Sequence, residues 1–247
     1  MTQESLLHNS IAPLENVVRL RGLIERCSNR THGLPGMGCF YGPAGQGKTT
    51  SGIYAVNKLE AVHIEVLPFG GAKKLLEDLA KEMGLRPERT LARLFDQVSA
   101  DLAISQRPLL IDEADKALSD TMIETIRRIH DVAQVPVILM GEEILPQKLT
   151  RWERVHGRIL AWVRTEDSSL QDVHFLAPIY AKGVKVKDDL LKKVHEVSRG
   201  SIRYASTNLA LIAEFARSRG QDQIGLAEWG DRTLHSGQAP APRKVRA

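Results

Sequence analysis

With 247 residues, 43% of them hydrophobic and 26% charged, the chain can bury a core as one domain or two. That composition excludes a collagen-like, disordered or disulfide-stapled class. Two cysteines, Cys27 and Cys39, cannot build a tetrahedral thiolate site and are expected to be inert packed thiols. No apolar run reaches the roughly 20 residues that span a bilayer, and residues 1–10 have neither the basic start nor the apolar core of a leader, so a cytoplasmic protein with no membrane contact is expected. The formal charge of +4 is uneven. Residues 181–247 hold thirteen Lys and Arg against seven Asp and Glu, a net +6, which leaves −2 for the first 180. A basic last quarter suits nucleic acid phosphates, and with few aromatic side chains to stack splayed bases, duplex DNA is the better-matched form.

In chain order, Leu14, Val17, Val18, Leu20 and Ile24 fall at helical spacing and predict a helix over residues 13–27. A short strand at 38–41 and a helix at 49–59 flank a Gly-rich stretch. Val62, Ile64 and Val66 alternate, which predicts a strand within 61–69, and helices follow over 72–83 and 90–104. The compact apolar runs 108–111 and 135–140 read as strands buried on both faces, with a helix carrying Met122, Ile123, Ile126 and Ile129 between them. The alternation lasts to about residue 176; two amphipathic helices are then predicted at 188–198 and 202–219. The expected fold is α/β: a parallel sheet flanked by helices, then a small all-helical lid. The expected divisions are an N-terminal helix and linker at 1–34, a nucleotide-binding domain at 35–178, the lid at 179–235 and a disordered basic tail at 236–247.

Gly42-Pro43-Ala44-Gly45-Gln46-Gly47-Lys48-Thr49 fits G-x-x-x-x-G-K-[ST] in full, between a predicted strand and a predicted helix. Glycines let backbone N–H groups turn inward around a phosphate, and the helix that continues through Thr50 adds its positive end. Lys48 then reaches the β- and γ-phosphates of ATP, while the Thr49 hydroxyl completes a Mg²⁺ shell. The run Leu109-Leu110-Ile111 ends in Asp112-Glu113, an acidic pair expected at the end of a strand next to the loop strand. Asp112 is suited to hold the magnesium and Glu113 to polarise the water that attacks the γ-phosphate. The eight histidines show no ligand spacing, and none is assigned to a metal.

The loop, Ile111-Asp112-Glu113-Ala114-Asp115 and Val137-Ile138-Leu139-Met140-Gly141 together resemble the AAA+ ATPases, and within them the transposition ATPases related to the phage Mu B protein. The resemblance implies a Mg²⁺-dependent ATPase that assembles as a homo-oligomer, a ring or a helical filament, on duplex DNA and delivers or activates target DNA for a transposase. It implies further roles. Arg154 or Arg158, within Glu153-Arg154-Val155-His156-Gly157-Arg158-Ile159, matches the arginine that reaches a neighbouring subunit's nucleotide. Arg203, in Gly200-Ser201-Ile202-Arg203, matches the sensor that touches the γ-phosphate from the lid. Lys73 and Lys74 stand where related rings contact the DNA backbone. Two features depart from the pattern. Glu142 occupies the first-sensor position, usually neutral and polar, and a carboxylate there implies slow basal hydrolysis. Only about forty residues precede the loop, where the Mu B protein has a DNA-binding helical domain. A switch or loader acting on a protein partner, without direct DNA binding, is the alternative; a P-loop transferase is disfavoured by the Asp112-Glu113 pair and the lid arginine.

Overall fold

The computed structural model describes residues 13–67, 69–117 and 119–237. The disordered tail expected at 236–247 falls, from residue 238 on, outside the described residues. The chain divides into two compact units, one of residues 15–166 and one of residues 167–237 together with 13–14.

The first unit runs α1 (Glu15–Ser28), β1 (Met37–Tyr41), α2 (Lys48–Leu59), β2 (Val62–Glu65), α3 (Gly71–Glu82), α4 (Leu91–Ser105), β3 (Leu109–Asp112), α5 (Ala114–Ala117), α6 (Asp120–Ala133), β4 (Val137–Gly141), α7 (Leu145–Leu149), α8 (Glu153–His156) and β5 (Ile159–Arg164). Its five strands form one parallel sheet in the order β2-β3-β4-β1-β5. Successive side chains of a strand face opposite ways, and the core divides accordingly. Leu109, Ile111, Val137 and Leu139 pack with apolar side chains of α3, α4 and α6; Leu110, Ile138 and Met140 pack with Leu20, Leu23 and Ile24 of α1 and Ala55 of α2. Covered on both faces, β3 and β4 tolerate no polar side chain before their last residues, which is why they read as unbroken apolar runs. Cys27 and Cys39 are buried and free, and burial raises the Cys27 thiol to about 11, in keeping with packed, unreactive sulfur.

The second unit contains α9 (Leu170–Tyr180), β6 (Lys185–Val186), α10 (Asp188–Ser198), α11 (Ile202–Ser218), β7 (Gln223–Ile224) and α12 (Leu226–Trp229). It is helical, with an added parallel ladder of two residues per strand between β6 and β7, too short to leave a periodic signal. The sequence-based boundary at 178/179 is corrected to 166/167. α9 packs against α10 and α11, so it belongs with the helices that follow it and not with the sheet. Its start carries a capping box, Ser169 with Asp172, a signal that was available at that point in the sequence. The first boundary shifts as well, since α1 covers one face of the sheet and is part of the α/β unit. Among the described residues, no helix is long and apolar enough to cross a membrane.

Candidate nucleotide site

The loop leaves the buried end of β1 at Tyr41 and enters α2 at Lys48. Gly45 and Gly47 have φ of 84° and 85°, left-handed backbone that glycine adopts without a Cβ penalty and that turns the loop back on itself. Gly47 is the N-cap of α2 and offers no side-chain acceptor, so the first turn of α2 starts with no side-chain cap. Gly42 is needed for space, because a Cβ there would lie 1.8 Å from Thr165 Oγ1. Gly42→Ala is expected to lower stability by about 1–3 kcal/mol through overpacking. Thermal unfolding checks it, and adding Thr165→Ala is expected to restore part of the loss.

Lys48 is largely buried, and its ammonium donates to the loop carbonyls of Gly42 at 2.7 Å and Pro43 at 2.8 Å. Burial lowers its pKa, while the carboxylates of Asp112 and Glu113 act in the opposite direction. Thr49 Oγ1 donates to Asp112 Oδ2 at 2.9 Å, which joins the loop to the acidic pair. Asp112 is buried, which by itself raises its pKa. The neighbouring His63 ring, with hydrogen bonds from Thr49 and from the Glu113 N–H, overcomes that and holds the carboxyl below its ordinary value. The Glu113 N–H lies 2.9 Å from Asp112 Oδ1. Glu113 has φ of 55°, a conformation that costs a non-glycine residue about 1–2 kcal/mol. Its Oε2 pairs with Lys116 Nζ at 2.5 Å, and the same ammonium stands 3.7 Å from Glu142 Oε1.

One expectation about the sheet is corrected. β3 does not lie beside β1; β4 runs between them and pairs with both. Thr49, at the start of α2, spans that gap to Asp112. At the loop's level β4 ends in Gly141, whose carbonyl accepts the Gly42 N–H at 3.2 Å. Glu142 follows directly, its N–H held by Asp115 Oδ1 at 2.7 Å.

Pro43, Ala44, Gly45, Gln46, Thr49 and Thr50 therefore stand with Lys48, Asp112, Glu113 and Glu142 in one region of the α/β unit. The other candidates belong to other elements. Arg158 sits between α8 and β5, its guanidinium bound by Asp131 of α6 at 2.7 and 3.0 Å and by the Arg154 carbonyl at 3.0 Å. Arg154 is exposed and helps line a cleft of about 500 Å³ with Asp120, Glu124 and Trp152. Lys73 and Lys74, in the first turn of α3, pair with Glu77 and Asp78 one turn on. Arg203 stands in the first turn of α11 in the second unit, after an N-cap at Ser201.

Sequence reasoning missed four residues. His63 lies on β2 with Nε2 3.5 Å from Asp112 Oδ2. Lys116 stands between two carboxylates. Asn16 and Thr165 bond to Gln46 of the loop. Only Lys116, at i+3 from Glu113 on a short helix, had a local signal.

The donor set fits a triphosphate and a magnesium ion: an ammonium, an uncapped helix start, and a hydroxyl bonded to a carboxylate held in its charged form. A protein-family profile described as AAA domain matches residues 31–149. Just under half of the chain therefore resembles an AAA domain. Replication factor C small subunit 2 of Pyrobaculum islandicum is 24% identical over 225 residues, covering 89% of this chain and 64% of that protein. Its counterpart from Pyrobaculum aerophilum is 23% identical over 221 residues, covering 89% and 65%. Among solved structures, the Aeropyrum pernix ORC2 protein, in ADPNP–ADP complexes, is similar with a TM-score of 0.63 and 17% identity over 85% of this chain and 64% of that one. Cdc6p from Pyrobaculum aerophilum gives a TM-score of 0.61 at 15% identity, over 85% and 63%. The Aeropyrum pernix ORC1 protein, solved in complex with DNA, gives 0.56 at 15% identity, over 86% and 62%. The chain shares its fold with these solved structures, and it spans under two thirds of the length of each of these proteins.

Proposed function

We propose that the chain is a Mg²⁺-dependent ATPase that works in the cytoplasm as a homo-oligomer on duplex DNA. The observation that carries the ATPase reading is the 2.9 Å hydrogen bond from Thr49 to Asp112, which brings the phosphate loop and the acidic pair into one site. Lys48 would hold the β- and γ-phosphates, Thr49 and Asp112 the metal, and Glu113 would orient and deprotonate the attacking water. A magnesium ion at Thr49 and Asp112 would draw charge from the phosphate oxygens. The similar proteins solved with ADPNP and ADP, and with DNA, support a nucleotide-dependent role on DNA. The resemblance to Mu B-type ATPases extends this to delivery of target DNA to a transposase.

Glu142, placed just past β4, makes basal hydrolysis slow on this reading. Glu142→Asn is expected to raise turnover about 3- to 10-fold, measured by phosphate release, through loss of a carboxylate from the γ-phosphate side of the site. The oligomer follows from the arginine segment, which lies away from the protein's own loop. Arg158 or Arg154 would reach a neighbour's nucleotide, with Arg203 acting from the helical unit. Alanine at the acting arginine is expected to cost about 10³-fold or more in assembled turnover while leaving nucleotide binding by the monomer intact. Mixing such subunits with Lys48→Ala subunits distinguishes supply in trans from a local defect, because paired defects then leave some junctions whole.

One observation favours the protein-partner alternative. Lys73 and Lys74 are already engaged by acids on their own helix, which weakens their case as phosphate contacts. Electron microscopy with ATP, with and without duplex DNA, tests the main reading together with DNA retention against salt. Filaments or rings that need both ATP and DNA support it; assembly without DNA supports the alternative.

A further inference from the structure

Asn16 is 1% exposed and lies in the first turn of α1, among the side chains that α1 buries. An amide buried there must find its partners inside the protein, and Asn16 finds three. Its Nδ2 donates to the Gln46 carbonyl at 2.9 Å and to the Glu166 carbonyl at 2.8 Å, and its Oδ1 accepts the Glu166 N–H at 2.9 Å. Residue 166 is thus clamped by both of its main-chain polar groups, across 150 residues of sequence.

The position of this clamp in the chain gives it meaning. Gln46 is in the phosphate loop. Glu166 is the last residue of the α/β unit, and Asn16 is the second residue after the chain enters that unit. Among the described residues the chain passes between units at 14/15, next to Asn16, and at 166/167, next to the Glu166 that Asn16 binds, and the same side chain also holds the loop. All three bonded residues belong to the α/β unit. Neighbouring contacts reinforce the clamp: Thr165 Oγ1 bonds to Gln46 Oε1, and Arg19, one turn along α1, reaches the Arg164 carbonyl at 3.2 Å and Glu166 Oε1 at 2.8 Å. A side chain needed for packing alone would be apolar at this site. An amide is required only if the loop carbonyl and residue 166 are to be held in register with each other.

We propose that Asn16 is a positioning residue that couples occupancy of the phosphate loop to the joint between the two units. The inference rests on reading that loop as the nucleotide site. When the loop adjusts to a triphosphate, the Gln46 carbonyl moves with it, and Asn16 passes the displacement to residue 166 and so to the chain leading into the helical unit.

Hydrogen exchange on the full chain, with and without ADPNP and Mg²⁺, tests this. In the parent protein, nucleotide is expected to change exchange of the residue 166 amide at least fivefold. Asn16→Asp removes both Nδ2 donors and keeps the acceptor for the Glu166 N–H. It is expected to bind a fluorescent ATP analogue within about threefold of the parent, to lose the exchange response, and to lower kcat about tenfold with KM unchanged. Asn16→Ala should behave alike if it folds; if neither variant folds, the response of the parent decides. Exchange at 166 that ignores bound nucleotide, or an Asn16→Asp protein that keeps the full response, overturns the coupling while leaving the nucleotide site standing. Failure of the parent to bind any adenine nucleotide overturns both.

Discussion

Lys48→Ala is expected to weaken binding of an ATP analogue about 10- to 100-fold and to reduce turnover about 10³-fold. Two parts of that loss can be separated. The first is ground-state binding: a charge-assisted hydrogen bond from a buried ammonium is worth about 1.5–3 kcal/mol, which is one to two powers of ten in affinity. The second is realised as charge builds on the transferred phosphoryl group, where a preorganised cation in a dry site contributes about 10²-fold more. The structure adds a reason for the effect to be large. Lys48 bonds to the Gly42 and Pro43 carbonyls, so truncation also removes the tie that holds the loop folded over its own start. Asp112 and Glu113, whose charges help keep the ammonium protonated, lose a buried cation that acts on both. Lys48→Arg is not expected to rescue turnover, because a planar fork cannot occupy the place of a compact ammonium between two loop carbonyls. Titration of the fluorescent analogue and phosphate release check both numbers; binding equal to the parent would show that the loop is not where nucleotide is held.

The fold was largely legible because the signals were local. Leu109-Leu110-Ile111 and Val137-Ile138-Leu139-Met140 are continuous apolar runs that only a sheet covered on both faces explains, and the loop is a contiguous motif whose glycines carry their own geometric reason. Strand order was not legible. Nothing in the spacing of Lys48 and Asp112 says that β4 runs between their strands, since the order of strands is settled by packing over the whole sheet. The boundary near residue 166 was missed because β5, with exposed and half-buried positions such as Trp162 and Arg164, lacks the apolar run of its neighbours. The residues that support the site were hidden for the same reason as the strand order. Asn16 and Glu166 are 150 residues apart, and His63 meets Asp112 across paired strands. For Arg158 the segment was readable but its bond to Asp131 was not, and that bond supplies a structural role beside the one implied by the resemblance.

Glu113→Gln is the sharpest test of chemistry as distinct from binding. Turnover is expected to fall about 10²- to 10⁴-fold, the range for loss of a positioned general base, while affinity for ATP stays within a few-fold. Glutamine keeps the size of the side chain and the main-chain donor to Asp112, so the Asp112 carboxylate and its bond to Thr49 persist. What is lost is the negative charge that Lys116 now neutralises at 2.5 Å. Lys116, already 3.7 Å from Glu142 Oε1, is then free to pair more closely with that carboxylate. If ATP stabilises the junction between subunits, blocking its hydrolysis must lengthen the life of the assembly. Glu113→Gln protein is therefore expected to form ATP-dependent assemblies on DNA that outlast those of the parent, as followed by sedimentation after ATP is withdrawn. Unchanged turnover would move the base to another residue, with Glu142 the nearest candidate. Lost turnover without longer-lived assemblies would keep the ATPase and remove the link between hydrolysis and disassembly.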